Sequence, residues 1–409
     1  MDKVKRRVYA LTFLLTLGSL LLVLLNSGRQ REFFYIATYL SIIGLLLDHR
    51  NINLRRFSIA YPLLLIGVAK VIWYLIFELH HEGINFYSDH LSAGKKIILG
   101  SILVFYLEQF RRYLSVAMAK KGVLLATGAS VLLATAYGFW QHYQGMGRVE
   151  MGINRATISA YIYSAISLTF IWSLYSLKNK SAYIIAAAMI LLTYALILAT
   201  GTRSVIGLYL IFIILMTLNH FKKIHIKSTV VMLALLAGIV ALAYKPFISP
   251  KINQTLNEVT LYQKGNDKTS LGARFSMWAV GIHNGITAPL GQSMEQRQVV
   301  SQHYVEHNPL YASAMTYINV HMHNETIDTF SLQGIAGAIV LLFFYISLIT
   351  HAARNNNTVL LFATIMLVMY GFTDVLLISA EAVTFFITLF GVSTLLVERQ
   401  ASVKPNTLG

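Results

Sequence analysis

Long apolar segments dominate this chain and restrict what it can fold into. Uninterrupted apolar runs of about 20 residues recur along nearly the whole sequence, and each is long enough to cross a bilayer as a helix. Charged residues make up only 12% of the chain, whereas a soluble protein carries roughly 25%. The sequence therefore predicts an all-α integral membrane protein.

We predict twelve transmembrane helices. The chain begins MDKVKRRVYALTFLL, which resembles the start of a signal peptide, but the apolar stretch is too long and no small-x-small cleavage site follows it. The first segment is therefore expected to be retained as a helix. The predicted spans are residues 8–26, 33–47, 58–79, 97–110, 123–140, 155–175, 182–200, 204–219, 229–244, 335–352, 358–376 and 380–397.

The basic residues lie on alternate connections between these spans. The net charge of +16 could suggest a nucleic-acid partner, but its placement follows the positive-inside rule, so it is read as a topology signal. Both termini and these connections are then cytoplasmic. The basic residues on that side are Lys3, Lys5, Arg6, Arg7, Arg50, Arg55, Arg56, Arg111, Arg112, Lys120, Lys121, Lys178, Lys180, Lys222, Lys223, Lys227, Arg354, Arg399 and Lys404.

One long loop, residues 245–334, is predicted to face outward between a first membrane region, 1–244, and a last one with its tail, 335–409. The loop holds six Lys/Arg and six Asp/Glu, and five of the thirteen histidines. Its stretches NQTLNEVTLYQ and ARFSMWAVGIHN have apolar residues at helical spacing, so we expect a folded loop that contains helices. The chain has no cysteine, which excludes disulfides and thiolate metal sites.

The first candidate site is the short outward connection ATGTRSVIG, residues 199–207. Ser204 is predicted to be the N-cap of the next helix, whose first N–H groups are unpaired and favour an anion. Arg203 adds a second positive feature at that point. The alternative is a boundary arginine that extends to water or lipid phosphate.

The second candidate is SLGARFSMW, residues 270–278. Gly272 is expected to end an extended entry, and Phe275 and Trp278 to pack one face of a short helix. Arg274 would then project from the first turn of that helix. The alternative is an ordinary solvated arginine.

The third candidate is HMHNETIDTF, residues 321–330, just before an apolar run. On a helix, His321 and His323 would lie about 200° apart and could not both bind one metal ion. On a strand they would share a face, so a metal site stays an alternative, although no third ligand stands at a diagnostic spacing. A histidine can instead act as a general base, since its ordinary pKa lies near the working pH. Glu325 or Asp328 would orient the ring or face water.

Ionisable residues inside or beside predicted spans form a fourth group. Lys70, in IGVAKVIWY, lies within a span, where a charge is costly and is usually paired or functional. Asp374 and Glu381 bracket the last outward turn. These acids could pair with Lys70 or with the two candidate arginines, or they could act directly.

The ordered set TGTRS, SLGAR and HMHNETIDTFSLQGIAG on a many-spanning chain resembles the O-antigen ligases of bacterial lipopolysaccharide assembly, in the superfamily that also contains O-antigen polymerases. The resemblance covers most of the chain and extends to IGVAKVIWY and GFTDVLL. It implies a GT-C-type membrane glycosyltransferase of the inner membrane that acts at the periplasmic face, without a metal, nucleotide sugar or other cofactor, and with inversion.

The resemblance also implies substrates and site residues. The enzyme would transfer O-antigen from undecaprenyl pyrophosphate to a sugar hydroxyl of lipid A–core. By motif match, His323 would be the catalytic base, and Arg203 and Arg274 would hold the pyrophosphate, with Lys70 as a further basic position. The choice of His323 over His321 rests on the adjacent Asn324, so both histidines stay candidates.

Two other functions fit parts of the sequence. A polymerase of the same superfamily would use the same donor with another lipid-linked glycan as acceptor. A transporter of lipid-linked oligosaccharides fits twelve spans with intramembrane charges, but the chain shows no related halves, and its polar cluster lies on one outward loop.

Overall fold

The computed structural model describes residues 2–78, 85–221 and 244–398, with a few single positions between 230 and 241. Across these ranges the chain is helical and contains no β-strand. The longer helices are α1 (Asp2–Leu22), α2 (Ser27–Leu47), α3 (Ala60–Phe77), α4 (Asn85–Gln109), α5 (Val116–Tyr143), α6 (Ala156–Tyr175), α7 (Lys180–Thr200), α8 (Arg203–Phe221), α9 (Ser249–Gln263), α10 (Ser270–Thr287), α11 (Met294–His307), α12 (Glu325–Arg354), α13 (Thr358–Gly371) and α14 (Ala380–Ser393).

Seven of these helices are long and apolar enough to cross a membrane: α3 to α8 and α12. They correspond to seven of the predicted spans, and the all-helical membrane architecture is confirmed at that level. Helices α13 and α14 are apolar but have only 14 residues each, about 21 Å at 1.5 Å per residue. They are shorter than the hydrocarbon core, which is about 30 Å thick.

The remaining spans stay predictions. Helices α1 and α2 cover the first two predicted segments, but neither is apolar enough along its length to count among the seven candidate spans. The ninth predicted span, 229–244, lies almost wholly outside the described residues.

Helix α6 lies at the centre of the bundle. Nearly all of its residues are buried, and it packs against α5, α7, α8 and α13. A helix that is apolar on every side is expected only where other helices surround it. The central helix also carries Tyr161, whose hydroxyl lies 3.0 Å from Oγ1 of Thr373 at the end of α13.

Residues 244–324 are folded and contain helices, as their helical spacing predicts. Helix α10 packs against the start of α12 through two glycines, because a Cβ on Gly281 would lie 2.5 Å from Cγ2 of Ile327 and one on Gly285 would overlap the ring of Phe330. This close approach holds the helix that carries Arg274 beside the helix that follows His323.

Helix α12 is broken at Gly334, where φ is +63° and ψ is −157°. The segment Pro289–Gln292 lies along the break: Ile335 N–H donates to Pro289 O (2.9 Å), and Gln292 N–H donates to Leu332 O (2.9 Å). The indole of Trp73 donates to the same carbonyl of Leu332 (2.9 Å). The helix therefore consists of a first part up to Gln333 and a long apolar second part.

Two local predictions are wrong. The carbonyl of Thr202, not Ser204, accepts the first hydrogen bonds of α8, from the N–H groups of Val205 and Ile206. Gly272 does not end an extended entry but lies inside α10, which begins at Ser270 behind the capping side chain of Thr269. Arg274 is therefore the fifth residue of its helix instead of a first-turn residue.

Candidate functional site

Two histidines and one aspartate form a compact polar cluster. His323 Nδ1 lies 3.5 Å from Asp374 Oδ1, and His321 Nε2 lies 3.8 Å from the same oxygen. The two imidazole rings are 4.3 Å apart between centroids and nearly perpendicular. One carboxylate thus faces both histidines of the motif.

The hydrogen bonds distinguish the two rings. Nδ1 of His321 accepts from the backbone N–H of His323 (3.2 Å), so a neutral His321 carries its proton on Nε2, towards Asp374. In His323, Nδ1 is the buried nitrogen that faces Asp374, whereas the ring as a whole is 26% exposed. Nε2 of His323 is therefore the nitrogen open to a substrate, and His321 has both nitrogens turned inward.

The backbone around His323 is shaped by the cap of α12. Asn324 is the N-cap, and its Oδ1 accepts from the N–H groups of Thr326 and Ile327 at 3.1 Å. His323 itself has a φ of +46°, a left-handed conformation that is uncommon outside glycine and is found at constrained sites. The turn thereby directs the imidazole away from the helix, towards Asp374.

A second set of contacts ties the Asp374 connection to α12. Oε2 of Glu325 accepts from Leu377 N–H (2.8 Å), and Nδ2 of Asn324 donates to Phe372 O (3.4 Å). Both contacts reach the connection between α13 and α14, which also carries Asp374. These two hydrogen bonds therefore hold the connection that carries Asp374 against the start of α12, next to His323.

Burial and neighbouring charges alter the pKa of these groups. Burial lowers the pKa of His321, and the nearby imidazole of His323 lowers it further. Burial alone would raise the pKa of Asp374, but the interactions with the neighbouring imidazoles of His323 and His321 outweigh it and hold that pKa below its ordinary value. Asp374 is thus ionised at neutral pH and His321 is neutral.

The same three side chains meet the spacing of a metal site. One ligand atom from each of His321, His323 and Asp374 lies within 4.8 Å of the others. The sequence did not indicate a third ligand, because Asp374 is distant in the chain. Coordination by Nε2 of His321 would require its proton to move to Nδ1, which already accepts a backbone hydrogen bond.

Arg203 is held by an acid that the sequence analysis missed. Its Nη1 and Nη2 each lie 3.2 Å from one oxygen of Glu258, in the two-point geometry that a guanidinium also offers to phosphate. Oε2 of Glu258 also accepts from Leu271 N–H (3.0 Å). Glu258 therefore links Arg203 to the first turn of the helix that carries Arg274.

Arg274 is half-buried and makes no hydrogen bond or ion pair with the part of the chain that the structure describes. The hydroxyl of Tyr161 lies near Ser204 and within the electrostatic reach of both Arg274 and Asp374. The TRS turn, the SLGAR helix and the Asp374 connection thus all approach the N-terminal end of α6.

Lys70 pairs with Glu325, a partner that the sequence did not indicate for it. Its Nζ lies 3.9 Å from Oε1 of Glu325, and both side chains are almost fully buried. Glu325 is adjacent to Asn324, so Lys70 lies beside the base of the histidine cluster. Glu381, in contrast, accepts from Ser379 Oγ (3.2 Å) and pairs with none of the three candidate cations within the described ranges.

Arg297 is a structural residue that no motif indicated. It is completely buried, and its Nη1 lies 3.1 Å from Oδ1 of Asp328, which also accepts from Met322 N–H (3.0 Å). Its Nη2 donates to Ile318 O (2.6 Å). Asp328 therefore braces the turn on which the histidines lie and does not face water.

Comparison with known proteins supports the family that these motifs suggest. A family described as O-antigen ligase matches residues 186–342, which include both candidate arginines and both histidines. An O-antigen ligase of Escherichia coli is 28% identical over 379 residues, which cover 90% of this chain and 88% of the relative. The chain is thus similar to O-antigen ligases both in this segment and along nearly its whole length.

A second relative of this chain is an uncharacterized protein of Haemophilus influenzae, 23% identical over 271 residues, or 63% of this chain and 66% of the relative. The family match ends before Asp374 and begins after Lys70. Lys70 and Asp374 lie outside the matched segment and reach the candidate site through their contacts with Glu325 and His323.

Proposed function

We propose that this protein is an O-antigen ligase that transfers O-antigen polysaccharide from undecaprenyl pyrophosphate to a sugar hydroxyl of lipid A–core. The transfer takes place at the periplasmic face of the inner membrane and inverts the configuration at the anomeric carbon. Similarity to the Escherichia coli O-antigen ligase along nearly the whole chain supports the substrate class. The Asp374–His323 arrangement beside two arginine-bearing elements is the structural observation that carries the proposal.

His323 acts as the general base in this mechanism. Nε2 accepts the proton of the acceptor hydroxyl as its oxygen forms a bond to the anomeric carbon of the donor sugar. Asp374, which faces Nδ1–H at 3.5 Å, stabilises the imidazolium that results. Such a base contributes about 10²–10⁴-fold to rate, and Asp374 keeps the reactive nitrogen of His323 directed outward.

The arginines act on the leaving group. As the bond between the anomeric carbon and the pyrophosphate oxygen breaks, the electron pair stays on the pyrophosphate, and Arg203 and Arg274 neutralise the added charge. Arg274 can bind the pyrophosphate without breaking a hydrogen bond or an ion pair to the part of the chain that the structure describes. Arg203 must release Glu258 before it can bind the phosphate oxygens. Lys70 does not bind the pyrophosphate in this mechanism but pairs with Glu325, beside the histidine cluster.

The proposal is tested by reconstitution of the purified full-length chain with lipid-linked O-antigen and lipid A–core. Transfer should proceed without ATP and persist in a chelator, and it should be lost in His323→Ala. Movement of lipid-linked glycan without transfer to the core would support a transporter instead. Elongation of one lipid-linked glycan by another, with the core unmodified, would identify a polymerase.

A further inference from the structure

A lateral groove opens on the lipid-facing side of the molecule, next to the break in α12. Its cavity has a volume of about 290 Å³ and lies between α3 and the first turns of the second part of α12. The α3 side is an apolar stripe at helical spacing, formed by Leu65, Val68, Ala69, Ile72 and Ile76. The α12 side is formed by Gln333, Ala336, Gly337 and Val340.

The outer end of the groove is bounded by Leu290, which is 93% exposed. Leu290 belongs to the segment docked along the helix break, whose neighbours Pro289 and Gln292 bond to the backbone of α12. Its position is therefore set by these backbone bonds, and its apolar side chain stays exposed at the mouth of the groove.

One polar atom in this apolar groove has no hydrogen-bond partner. The side chain of Gln333 is buried, and its Nε2 finds no acceptor anywhere in the described part of the chain. A buried amide N–H without a partner has a free-energy cost, because it has lost its hydrogen bond to water and gained none in return. A molecule that occupies the groove and supplies an acceptor oxygen beside Gln333 would remove that cost.

The depth of Gln333 indicates which lipid this is. It is the last residue before the break, and it lines the groove together with Phe77, the last residue of α3. Because α3 is a candidate span, this places Gln333 near the end of a span, at the depth of the membrane boundary. The carbonyls of acyl chains lie at that depth, at the junction of a lipid headgroup and its hydrocarbon. A polyprenyl chain is a pure hydrocarbon there and offers Gln333 no acceptor.

We propose that the groove between α3 and α12 holds an acyl chain of the lipid A–core acceptor, with Gln333 Nε2 donating to its acyl carbonyl. This inference rests on the proposed ligase function, because it needs an acylated acceptor. The first part of α12, Glu325–Gln333, then separates the anchored lipid from His323 by about 12–15 Å along the helix, at 1.5 Å per residue. Anchoring at Gln333 places the core sugars on the side of the histidine cluster.

The groove is tested by filling it. Ala336→Phe should raise the KM for acylated lipid A–core about tenfold and leave the KM for the lipid-linked donor unchanged, since the phenyl ring fills the space in which the acyl chain buries its methylene groups. Ala188→Phe is the matched control, because Ala188 is an exposed alanine on the candidate span α7 and is remote from the groove lining. Its KM values should equal those of the wild type.

A second variant tests the polar contact. Gln333→Met keeps the length of the side chain and removes the donor, so the KM for acylated acceptor should rise about fivefold. With a deacylated core oligosaccharide as acceptor, both groove variants should match the wild type. A higher donor KM in Ala336→Phe would overturn the inference and assign the groove to the polyprenyl chain.

Lipid binding is measured separately from transfer. Native mass spectrometry of the full-length protein with added lipid A should show less bound lipid in Ala336→Phe than in Ala188→Phe. Equal binding in the two variants would refute the acyl-chain site even if the ligase activity is confirmed. Absence of transfer by the wild type to either acceptor would instead refute the proposed function and leave the binding result to stand by itself.

Discussion

Asp374 Oδ1 lies 3.5 Å from Nδ1 of His323, although α12 and α13 separate the two residues in the chain. The carboxylate fixes which nitrogen of His323 faces the substrate. His321 shares the same carboxylate through Nε2 at 3.8 Å, but its other nitrogen is used by the backbone. The two histidines of one motif therefore have different roles.

Substitution of the two histidines should have unequal effects. His323→Ala removes the proposed base, and the transfer rate should fall by about 10²–10⁴-fold. His321→Ala removes a ring that only supports the turn, and the loss should be about tenfold or less. The measurement is the rate of glycan transfer by purified protein at saturating donor. A larger loss in His321→Ala would assign the base to His321.

Lysine should not replace arginine in the pyrophosphate site. Arg203→Lys and Arg274→Lys keep the charge but lose the two-point contact with phosphate, so kcat/KM for the donor should fall at least tenfold in each variant. The comparison is with Arg148→Lys, because Arg148 braces the same turn through Thr200 O and Thr202 Oγ1. Full activity in both candidate variants would contradict pyrophosphate binding by these residues.

Glu258 competes with the donor for Arg203. Glu258→Gln removes the negative charge from a side chain that engages both terminal nitrogens of Arg203. The donor KM should therefore fall about threefold, because the guanidinium is released at lower cost. Donor titrations at a fixed acceptor concentration measure this. A rise in the donor KM would mean that Glu258 mainly orients Arg203.

Close packing of α10 on α12 should be sensitive to one methyl group. In Gly281→Ala the new Cβ would lie 2.5 Å from Cγ2 of Ile327, so the free energy of unfolding should decrease by about 1–3 kcal/mol. Thermal unfolding in detergent measures the change, with Gly207→Ala as control, since a Cβ at Gly207 meets no atom within 4 Å. Equal unfolding midpoints would contradict the close approach.

Acidification should destabilise the fold through His321. The groups around it are His323, Asp374, Asp328 and Arg297, and burial is the main cause of its lowered pKa. Because the unfolded chain binds this proton first, the contribution to stability is complete above the ordinary pKa of 6.5 and is lost as the pH falls towards the lower folded pKa. The unfolding midpoint should drop between about pH 7 and pH 5, and by less in His321→Gln.

The sequence by itself determined the class of the protein and the main segments of its site. Apolar runs that must satisfy their backbone hydrogen bonds within lipid form helices, so α3 to α8 and α12 are readable from periodicity and length alone. The TRS, SLGAR and HMHNE stretches are equally visible, since each is a local pattern. Local cap positions were less predictable, as Ser204 and Gly272 show, because neighbouring residues can supply the same hydrogen bond.

Only the tertiary structure decided the partners of these residues. Asp374 faces His323, Glu258 holds Arg203, and Glu325 pairs with Lys70, and each pair joins elements that are far apart in the chain. No local pattern encodes such a pairing, because it depends on how the helices cross. The groove beside Gln333 has the same origin: it exists only because the break at Gly334 and the docked segment at Pro289 meet against α3.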